Sequence, residues 1–434
     1  MIVMKFGGSS VDSPNKIKTI EEIVRRELAR KPIIVVSALR GVTSELHELA
    51  RTSYQGTYPS TGYVALRHYE LIRNLGLDLS ISPEISELGD CLKTRNLPHL
   101  QYIDQVMSLG ERISIKIVAA YLRSKGLNAQ AFNSYDLGLV TNSNFSSAEF
   151  LPESLPAINS SISSLDCIPI ITGFIAKDKK GNITTLGRNK SDYSAAIFAR
   201  AIEAEELQIW TDVNGILTAN PEIVPSARTI ANLSYAEAKE LAFFGAKVLH
   251  PNAIEPAEER NIPIRVLNTL DRNNPGSTIS IKSPRNGVKG ITSKSNVIIV
   301  NNRSGSMIDS HGHLADTFNS FSKYGKSVDA VATSNITISG TVYDWQKLEE
   351  IIKEISQRGK VTLYQGLCQI CVVGDGIDET PGIQGRVFGT LPDIIVKMIS
   401  QAADSSNITF LVDADHEHEV VRRLHREFIE NYPI

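Results

Sequence analysis

The sequence predicts an α/β protein in which helices cover both faces of a mostly parallel sheet, followed by two smaller α+β units. Three observations support this fold class. Short apolar runs alternate with amphipathic segments up to about Thr278, as in parallel strands joined by crossover helices. Turn residues then cluster at 271–277 and again at 282–287. Beyond them, strand-like and helix-like segments follow one another at shorter intervals.

Within the first part, the buried strands are predicted from runs of apolar residues. These runs lie at residues 3–6, 32–37, 168–172, 206–211 and 264–268. Apolar residues at helical spacing predict helices between the strands, at residues 14–31, 110–125, 191–204 and 234–244. The turn clusters place the domain boundary between residues 284 and 285, which gives domains 1–284 and 285–434.

The second part has a repeated order of elements. Strands are predicted at residues 296–301, 336–342, 367–373 and 407–412, and helices at 314–324, 345–357, 385–403 and 416–431. A β-α-β-β-α-β unit that occurs twice explains this order. Cys368 and Cys371 lie on one predicted strand, where residues three apart point to opposite faces, so we interpret them as core residues and not as a redox pair.

Length and composition exclude several classes of protein. A chain of 434 residues exceeds one typical hydrophobic core, and 42% hydrophobic with 21% charged residues is typical of soluble globular proteins. A net charge of −3 without a long basic run argues against nucleic-acid binding. The apolar run at residues 1–6 is too short for a signal peptide or a membrane span. We therefore expect a cytoplasmic protein that binds neither nucleic acid nor membrane.

The first candidate site follows the first predicted strand. Gly7 and Gly8 let the backbone approach a ligand closely, and their N–H groups lie near the start of a helix, which favours phosphate. Lys5 is placed to meet a negative charge. The lysine precedes the glycines, so this is not a Walker loop. A simple tight turn is the alternative interpretation.

Three further segments carry candidate functional residues. Arg188 and Asp192 lie within one turn, where they could hold a carboxylate and position lysines, although Asp192 could also be only a helix N-cap. Thr211 and Asp212 end a strand on the side where open α/β sheets bind ligands. Lys247, alone in an apolar stretch, either reaches the surface or faces a phosphate.

Seven ordered motifs resemble those of the aspartate kinase family over nearly the whole chain. They are KFGGSS at residues 5–10, VSA at 36–38 with GVT at 41–43, LGE at 109–111, GF at 173–174, LGR at 186–188 with SD at 191–192, WTD at 210–212 and GAKVLHP at 245–251. The resemblance implies an amino-acid-kinase-like catalytic domain followed by two ferredoxin-like ACT units. It also implies a monofunctional enzyme, since little sequence follows the second unit.

The resemblance implies a role for each matching residue in ATP-dependent phosphorylation of L-aspartate, the first step towards lysine, threonine and methionine. Lys5 would stabilise the transferring phosphoryl group, and Asp192 would orient the lysines around it. The residues that would bind aspartate are Ser37, Thr43, Glu111 on its ammonium and Arg188 on its α-carboxylate. Those that would bind ATP are Gly7, Gly8, Ser9, Thr211, Asp212 and Lys247. Mg²⁺ is expected with the ATP from the chemistry, since no residues predict a dedicated metal site.

The sequence departs from the family at two places. Lys190 stands where glycine is usual, and Leu217 and Glu222 replace a tyrosine and an arginine near the nucleotide. Two alternatives therefore stay open. The chain could phosphorylate another small amino-acid carboxylate, or it could be a weakly active amino-acid sensor.

The resemblance also implies an effector site in the second part. Its residues would be Met307, Asp329, Thr333 and Ser334, with Asp329 on the effector's ammonium group. The pattern favours lysine over threonine as the effector, although Asn335 stands where lysine-sensing members often have glutamate. The family further implies a homodimer or homotetramer formed through the ACT units. An ordinary turn between a helix and a strand is the alternative interpretation of the segment around Asp329.

Overall fold

The computed structural model describes residues 1–187, 190–244, 248–281, 283–284, 287–305, 311–403 and 406–431. The chain forms two compact units that interleave in sequence. The first unit comprises Met1–Ile216, Thr229–Tyr235 and Lys247–Ser283. The second comprises Leu217–Arg228, Ala236–Ala246 and Pro284–Ile434. A domain boundary between residues 284 and 285 stays a prediction.

The first unit is built on an eight-stranded sheet of order β3-β5-β2-β1-β8-β10-β11-β9, beside a three-stranded sheet β4-β6-β7. The strands are β1 (Ile2–Phe6), β2 (Pro32–Val36), β3 (Ala129–Phe132), β4 (Val140–Thr141), β5 (Ile168–Thr172), β6 (Ile175–Asp178), β7 (Ile183–Thr185), β8 (Glu206–Thr211), β9 (Asn232–Leu233), β10 (Ile264–Asn268) and β11 (Ser277–Ile279). The neighbouring strands β3, β5, β2, β1, β8 and β10 of the large sheet all run parallel to one another. The five predicted buried strands are confirmed.

Helices pack on both faces of this sheet. The helices of this part of the chain are α1 (Gly8–Val11), α2 (Pro14–Glu27), α3 (Val42–Tyr54), α4 (Gly62–Asn74), α5 (Ser82–Thr94), α6 (His99–Ser124), α7 (Ser154–Ser163), α8 (Ser191–Ala201) and α10 (Ile254–Glu258), whereas α9 (Tyr235–Phe244) lies almost entirely in the second unit. Ile2, Met4 and Phe6 of β1 share a buried cluster with residues of α2 and α6. Lys5, which points to the opposite face, contacts α8. The predicted α/β fold class is therefore confirmed.

A six-stranded antiparallel sheet of order β13-β14-β12-β15-β17-β16 forms the centre of the second unit. Its strands are β12 (Gly290–Arg303), β13 (Val331–Ser334), β14 (Thr337–Val342), β15 (Lys360–Val373), β16 (Met398–Ser400) and β17 (Asn407–Asp413). Its remaining helices are α11 (His313–Lys323), α12 (Leu348–Ile355), α13 (Ile383–Gly389) and α14 (Glu417–His425).

Two four-stranded units share the long strands β12 and β15. The end of β12, α11, β13, β14, α12 and the start of β15 follow the predicted β-α-β-β-α-β order. The second set comprises the end of β15, α13, β16, β17 and α14. Its fourth strand is the start of β12, where Gly290 pairs with Val373 and Lys294 with Gln369. The second repeat thus takes one strand from a segment that precedes the first repeat.

One predicted helix is wrong in its second half. Residues 385–403 read as one helix, but α13 ends at Gly389 and strand β16 occupies Met398–Ser400. Pro392 shortly after Gly389 accounts for the early end, because proline clashes with the preceding helical turn and lacks an N–H donor.

The helices of the second unit are amphipathic, as their sequences require. In α12, Leu348, Ile351 and Ile355 recur on one face and are buried against the sheet. Each buried side chain of this size contributes roughly 1.5–3 kcal/mol relative to an exposed one. Cys368 and Cys371 are both buried in β15, as core residues are. Among the described helices, none combines the length and apolarity needed to cross a membrane.

Candidate active site

Three of the predicted segments meet at one edge of the parallel sheet. Phe6 at the end of β1 pairs with Val36 at the end of β2 and with Trp210 in β8. The residues that follow these positions therefore emerge side by side, at the carboxyl ends of the strands. Open α/β sheets bind their ligands at this edge. The structure thus brings Gly7, Ser37 and Thr211 to one edge of the sheet.

The turn after β1 depends on its two glycines. The backbone N–H of Gly7 donates to the carbonyl of Trp210 over 3.2 Å. A Cβ atom at Gly8 would lie 2.7 Å from the carbonyl oxygen of Ala38, too close for any other residue. A Cβ atom at Gly7 would lie 3.2 Å from Lys5 Nζ. The glycines therefore bring the turn against the segment after β2 and leave room for the ammonium group of Lys5.

Lys5 and Asp192 form a short, largely buried ion pair. Lys5 Nζ lies 2.6 Å from Asp192 Oδ1, and the two side chains are 12% and 8% exposed. Asp192 is in the first turn of α8, where the helix dipole favours a negative charge. Its Oδ2 accepts a hydrogen bond from the backbone N–H of His250 over 3.4 Å. The resemblance implies that Asp192 orients the lysines; the fold brings Asp192 into contact with Lys5 and adds His250.

The start of α8 is docked on the turn that follows β5. A Cβ atom at Gly173 would lie 2.7 Å from Ser191 Cβ, and the N–H of Phe174 donates to Ser194 Oγ over 2.8 Å. Phe174 has a φ of +66°, which is costly for a bulky residue and persists only where its surroundings enforce it. Ser194 was not among the predicted site residues. These contacts fix the position of Asp192.

Glu111 is a buried carboxylate with one unsatisfied oxygen. Its Oε1 accepts a hydrogen bond from the N–H of Ala38 over 3.3 Å, whereas Oε2 meets no donor among the described residues. Burial raises the pKa of Glu111 to about 8, and the hydrogen bond from Ala38 only partly opposes this. A buried acceptor without a partner is costly. A cationic ligand would satisfy this carboxylate.

The other predicted residues of the aspartate site are near Glu111 or outside the described residues. Ser37 directly precedes Ala38, whose N–H contacts Glu111, and its carbonyl accepts from Ser114 Oγ over 2.8 Å. Thr43 lies in the first turn of α3, which begins after Gly41 with a φ of +86°. Arg188 lies outside the described residues, so its predicted role stays a prediction.

The other predicted nucleotide residues are at or beyond the strand ends. Ser9 lies in α1, directly after Gly8. Thr211 is the last residue of β8, and its hydroxyl donates to Asp212 Oδ1 over 3.2 Å at the surface. Lys247 lies outside the described residues. Leu217 and Glu222 belong to a segment that packs in the second unit, and their proposed influence on the nucleotide stays a prediction.

Lys190 brings a second cation to the start of α8. Its Cε lies 3.4 Å from the position of a Cβ atom at Gly187, and its Nζ lies 5.9 Å from the ring centre of Tyr193. Burial lowers the pKa of Lys190. Burial, and after it the charge of Lys190, lowers the pKa of His250, the residue whose N–H contacts Asp192. The position where the family usually has glycine therefore carries a positive charge.

In the second unit, the predicted effector carboxylate already has a cationic neighbour. Asp329 Oδ2 lies 3.7 Å from Lys294 Nζ. Thr333 and Ser334 lie on the exposed strand β13. Met307 lies outside the described residues. Lys294 was not a predicted site residue, because nothing in its sequence context distinguishes it from a surface lysine.

Comparison with protein families assigns both parts of the chain. Residues 1–268 match the amino acid kinase family, and residues 370–428 match an ACT domain. The first match covers more than half of the 434 residues. The ACT match falls on the second set of strands and helices in the second unit.

Individual relatives cover almost the entire chain. Aspartokinase 1, chloroplastic, of Arabidopsis thaliana is 33% identical, and the alignment covers 99% of this chain and 80% of the Arabidopsis protein. Lysine-sensitive aspartokinase 3 of Escherichia coli (strain K12) is 30% identical, with 99% of both chains aligned.

Solved structures agree with these relatives. E. coli aspartokinase III in complex with aspartate and ADP (R-state) superposes with a TM-score of 0.85, 28% identity and 99% of both chains covered. The same enzyme in complex with lysine and aspartate (T-state) gives 0.77, with 29% identity and the same coverage. Family, relatives and structures agree, and the chain belongs to the amino acid kinase family and, within it, to the aspartate kinases with ACT domains.

Proposed function

We propose that this protein transfers the γ-phosphoryl group of ATP to the side-chain carboxylate of L-aspartate, giving 4-phospho-L-aspartate. The observation that carries the proposal is the pairing, at one sheet edge, of a preformed Lys5–Asp192 ion pair with the buried, half-satisfied carboxylate of Glu111. The aspartate and ADP in the related E. coli structure support the same substrates here.

Glu111 would hold the amino group of aspartate. An ammonium group would supply the donor that Oε2 of Glu111 lacks, and its charge would favour the ionised carboxylate despite burial. Ser37 and Thr43 would contact the rest of the amino acid, and Arg188 would hold its α-carboxylate. The attacking side-chain carboxylate is ionised at neutral pH, so no general base is needed.

Lys5 would neutralise the charge that develops on the transferring phosphoryl group. Phosphoryl transfer depends mainly on positioning and electrostatic stabilisation. Asp192 holds the ammonium of Lys5 in place over 2.6 Å before any substrate arrives. Gly7, Gly8, Ser9, Thr211, Asp212 and Lys247 would line the nucleotide site. The ion pair thus supplies a cation whose position needs no rearrangement during the reaction.

Mg²⁺ would enter with the nucleotide. In the described part of the chain, no group of three or more His, Cys, Asp or Glu side chains could hold a metal ion. Mg²⁺ usually keeps several water ligands and binds through substrate phosphates with one or two carboxylates, which suits such a site. It would neutralise negative charge on the phosphates of ATP.

L-Lysine is the proposed feedback effector, bound by Asp329 with Met307, Thr333 and Ser334. The lysine bound in the T-state structure of E. coli aspartokinase III supports this choice over threonine. A homodimer or homotetramer through the ACT units, and a cytoplasmic location, are part of the same proposal.

A hydroxamate assay tests the reaction directly. Purified protein is incubated with ATP, Mg²⁺ and L-aspartate, and the acyl phosphate is trapped by hydroxylamine. Parallel reactions replace L-aspartate with L-glutamate or another small amino-acid carboxylate. We expect hydroxamate only with aspartate, and a rate lower by about a hundredfold or more from a Lys5→Ala variant. Preference for another acceptor would assign a different substrate, and absence of product with every acceptor would favour a sensor.

A further inference from the structure

Lys294 lies at the centre of a small cluster in the second unit. Its Nζ is 3.2 Å from the ring centre of Tyr343 and 5.0 Å from that of Phe243. The carboxylate of Asp329 lies 3.7 Å away. The Lys294 side chain is 33% exposed and that of Asp329 only 8%. One ammonium group is thus held by two aromatic rings and one buried carboxylate.

The Lys294 ammonium lies farther from the Asp329 carboxylate than from the ring centre of Tyr343. At 3.7 Å the two charges attract without a close hydrogen bond, whereas the Tyr343 ring gives a direct cation–π contact. The Tyr343 hydroxyl donates a hydrogen bond to Gln369 Oε1 over 3.1 Å. Burial raises the pKa of Asp329, and Lys294 and Tyr343 oppose this effect. Of the two contacts, the one between the Lys294 ammonium and the Asp329 carboxylate is therefore the weaker.

The same strand that carries Lys294 also holds helix α9. Just before β12, Lys289 Nζ lies 2.8 Å from Glu237 Oε2 in a fully buried pair. Thr292 Oγ1 donates to the carbonyl of Phe244, the last residue of α9, over 2.6 Å. Lys294 then contacts the ring of Phe243. The start of α9 is fixed by a buried ion pair, and its end reaches the cluster around Asp329.

We propose that Lys294 is an internal counter-ion that the effector's ammonium group displaces from Asp329, and that its displacement carries the binding signal through Phe243 to the end of helix α9. The inference rests on the proposed role of Asp329 in effector binding. From Phe244 the chain continues into the GAKVLHP motif at 245–251, which contains the proposed nucleotide-binding Lys247. Lys294 thereby links effector binding to a catalytic segment.

Loss of the Lys294 charge should change effector affinity and enzyme inhibition in opposite directions. Lys294 and the effector compete for one carboxylate, so removing the Lys294 charge removes a competitor and lets the effector bind more tightly. The signal to Phe243 is lost at the same time, because inhibition requires that the effector favour one of two states. A purely structural role for Lys294 would instead make both binding and inhibition weaker.

Lys294→Met tests this separation, because methionine keeps an apolar stem without the charge. Calorimetry with L-lysine should show a Kd lower by about twofold to fivefold, the range for loss of a partly exposed ion pair. The hydroxamate assay should show weaker maximal inhibition at saturating lysine. Lys397→Met is the matched control: Lys397 is 32% exposed and pairs with Asp413 over 3.4 Å in the same unit, so both values should stay those of wild type.

A Kd that is unchanged or raised in Lys294→Met would overturn the proposal. Phe243→Leu provides a second test that leaves the charge intact: lysine should bind within about twofold of wild type while maximal inhibition falls. Full inhibition of Phe243→Leu would exclude the route through this ring. If wild-type protein binds no L-lysine, the effector assignment fails and this inference fails with it. Turnover without effector is measured separately, so the proposed kinase reaction is still tested.

Discussion

Two lysine–aspartate pairs, one in each unit, illustrate different uses of the same two residue types. Lys5 and Asp192 lie 2.6 Å apart, and both side chains are at most 12% exposed. Lys294 and Asp329 lie 3.7 Å apart, and the lysine is 33% exposed. The first pair is short and shielded from water, so its geometry is fixed before substrate binds. The second pair is longer and its lysine is more exposed to solvent, so we propose that a ligand cation can replace this lysine.

A third pair extends the comparison. Lys289 and Glu237 lie 2.8 Å apart, and neither is more than 2% exposed. Glu237 Oε1 also accepts the N–H of Asp375 over 2.7 Å, so no oxygen is left for a ligand. This pair is structural: it connects helix α9 to the regulatory sheet. Exposure of the lysine therefore increases from the structural pair to the proposed catalytic pair and then to the proposed exchangeable pair.

The largest expected effect is on stability, from breaking the structural pair. Lys289→Met removes the ammonium group that pairs with the buried carboxylate of Glu237, which should lower the free energy of unfolding by about 3–5 kcal/mol. Urea denaturation followed by circular dichroism measures it. Lys397→Met, at a surface pair, should cost about 1 kcal/mol or less. Equal losses in the two variants would remove the distinction between the buried structural pair and an ordinary surface pair.

The next effect is on turnover. Lys5→Ala and Asp192→Ala should each lower kcat by about a hundredfold or more, because each removes charge organisation at the transferring phosphoryl group. The hydroxamate assay at saturating substrates measures kcat. Lys16→Ala removes a lysine that pairs with Asp12 over 2.8 Å in the same unit, and it should keep near-normal turnover. Near-normal turnover in both active-site variants would contradict the catalytic assignment.

A smaller effect concerns Glu111 and pH. Its pKa of about 8 in the free protein means that most of the carboxyl is protonated at pH 7, and binding an ammonium must first ionise it. The apparent KM for aspartate should therefore fall as pH rises towards 8, by up to about tenfold per unit below the pKa. Glu111→Gln should show a raised KM that depends much less on pH. A flat profile in the wild type would argue against an ammonium partner for Glu111.

The smallest expected effect is on feedback inhibition and tests the Asp329 member of the exchangeable pair. Asp329→Ala should raise the lysine concentration for half-maximal inhibition by about tenfold, because the effector's ammonium loses its charged partner. Turnover without effector should be close to that of wild type. Titration of both L-lysine and L-threonine against the two proteins measures this. Inhibition of both at equal lysine concentrations would exclude Asp329 from the effector site.

Local patterns were sufficient to predict much of the fold. Fully buried parallel strands need continuous apolar runs, so β1, β2, β5, β8 and β10 were recognisable from the sequence. Strand β13 was missed because it is a short edge strand with exposed Thr333 and Ser334. The helix predicted at 385–403 is too long because its apolar spacing continues past Gly389 and Pro392, where the helix ends.

The sequence by itself determined the fold class, the family and the candidate residues of the two sites, because periodicity, glycine turns and ordered motifs are local properties. Tertiary structure alone decided which charges meet. Lys5, Lys289 and Lys294 do not differ in kind as residues of a sequence, and their partners Asp192, Glu237 and Asp329 lie 35 to 187 positions away. Separation and desolvation set the strength of an ion pair, and both depend on how distant segments pack.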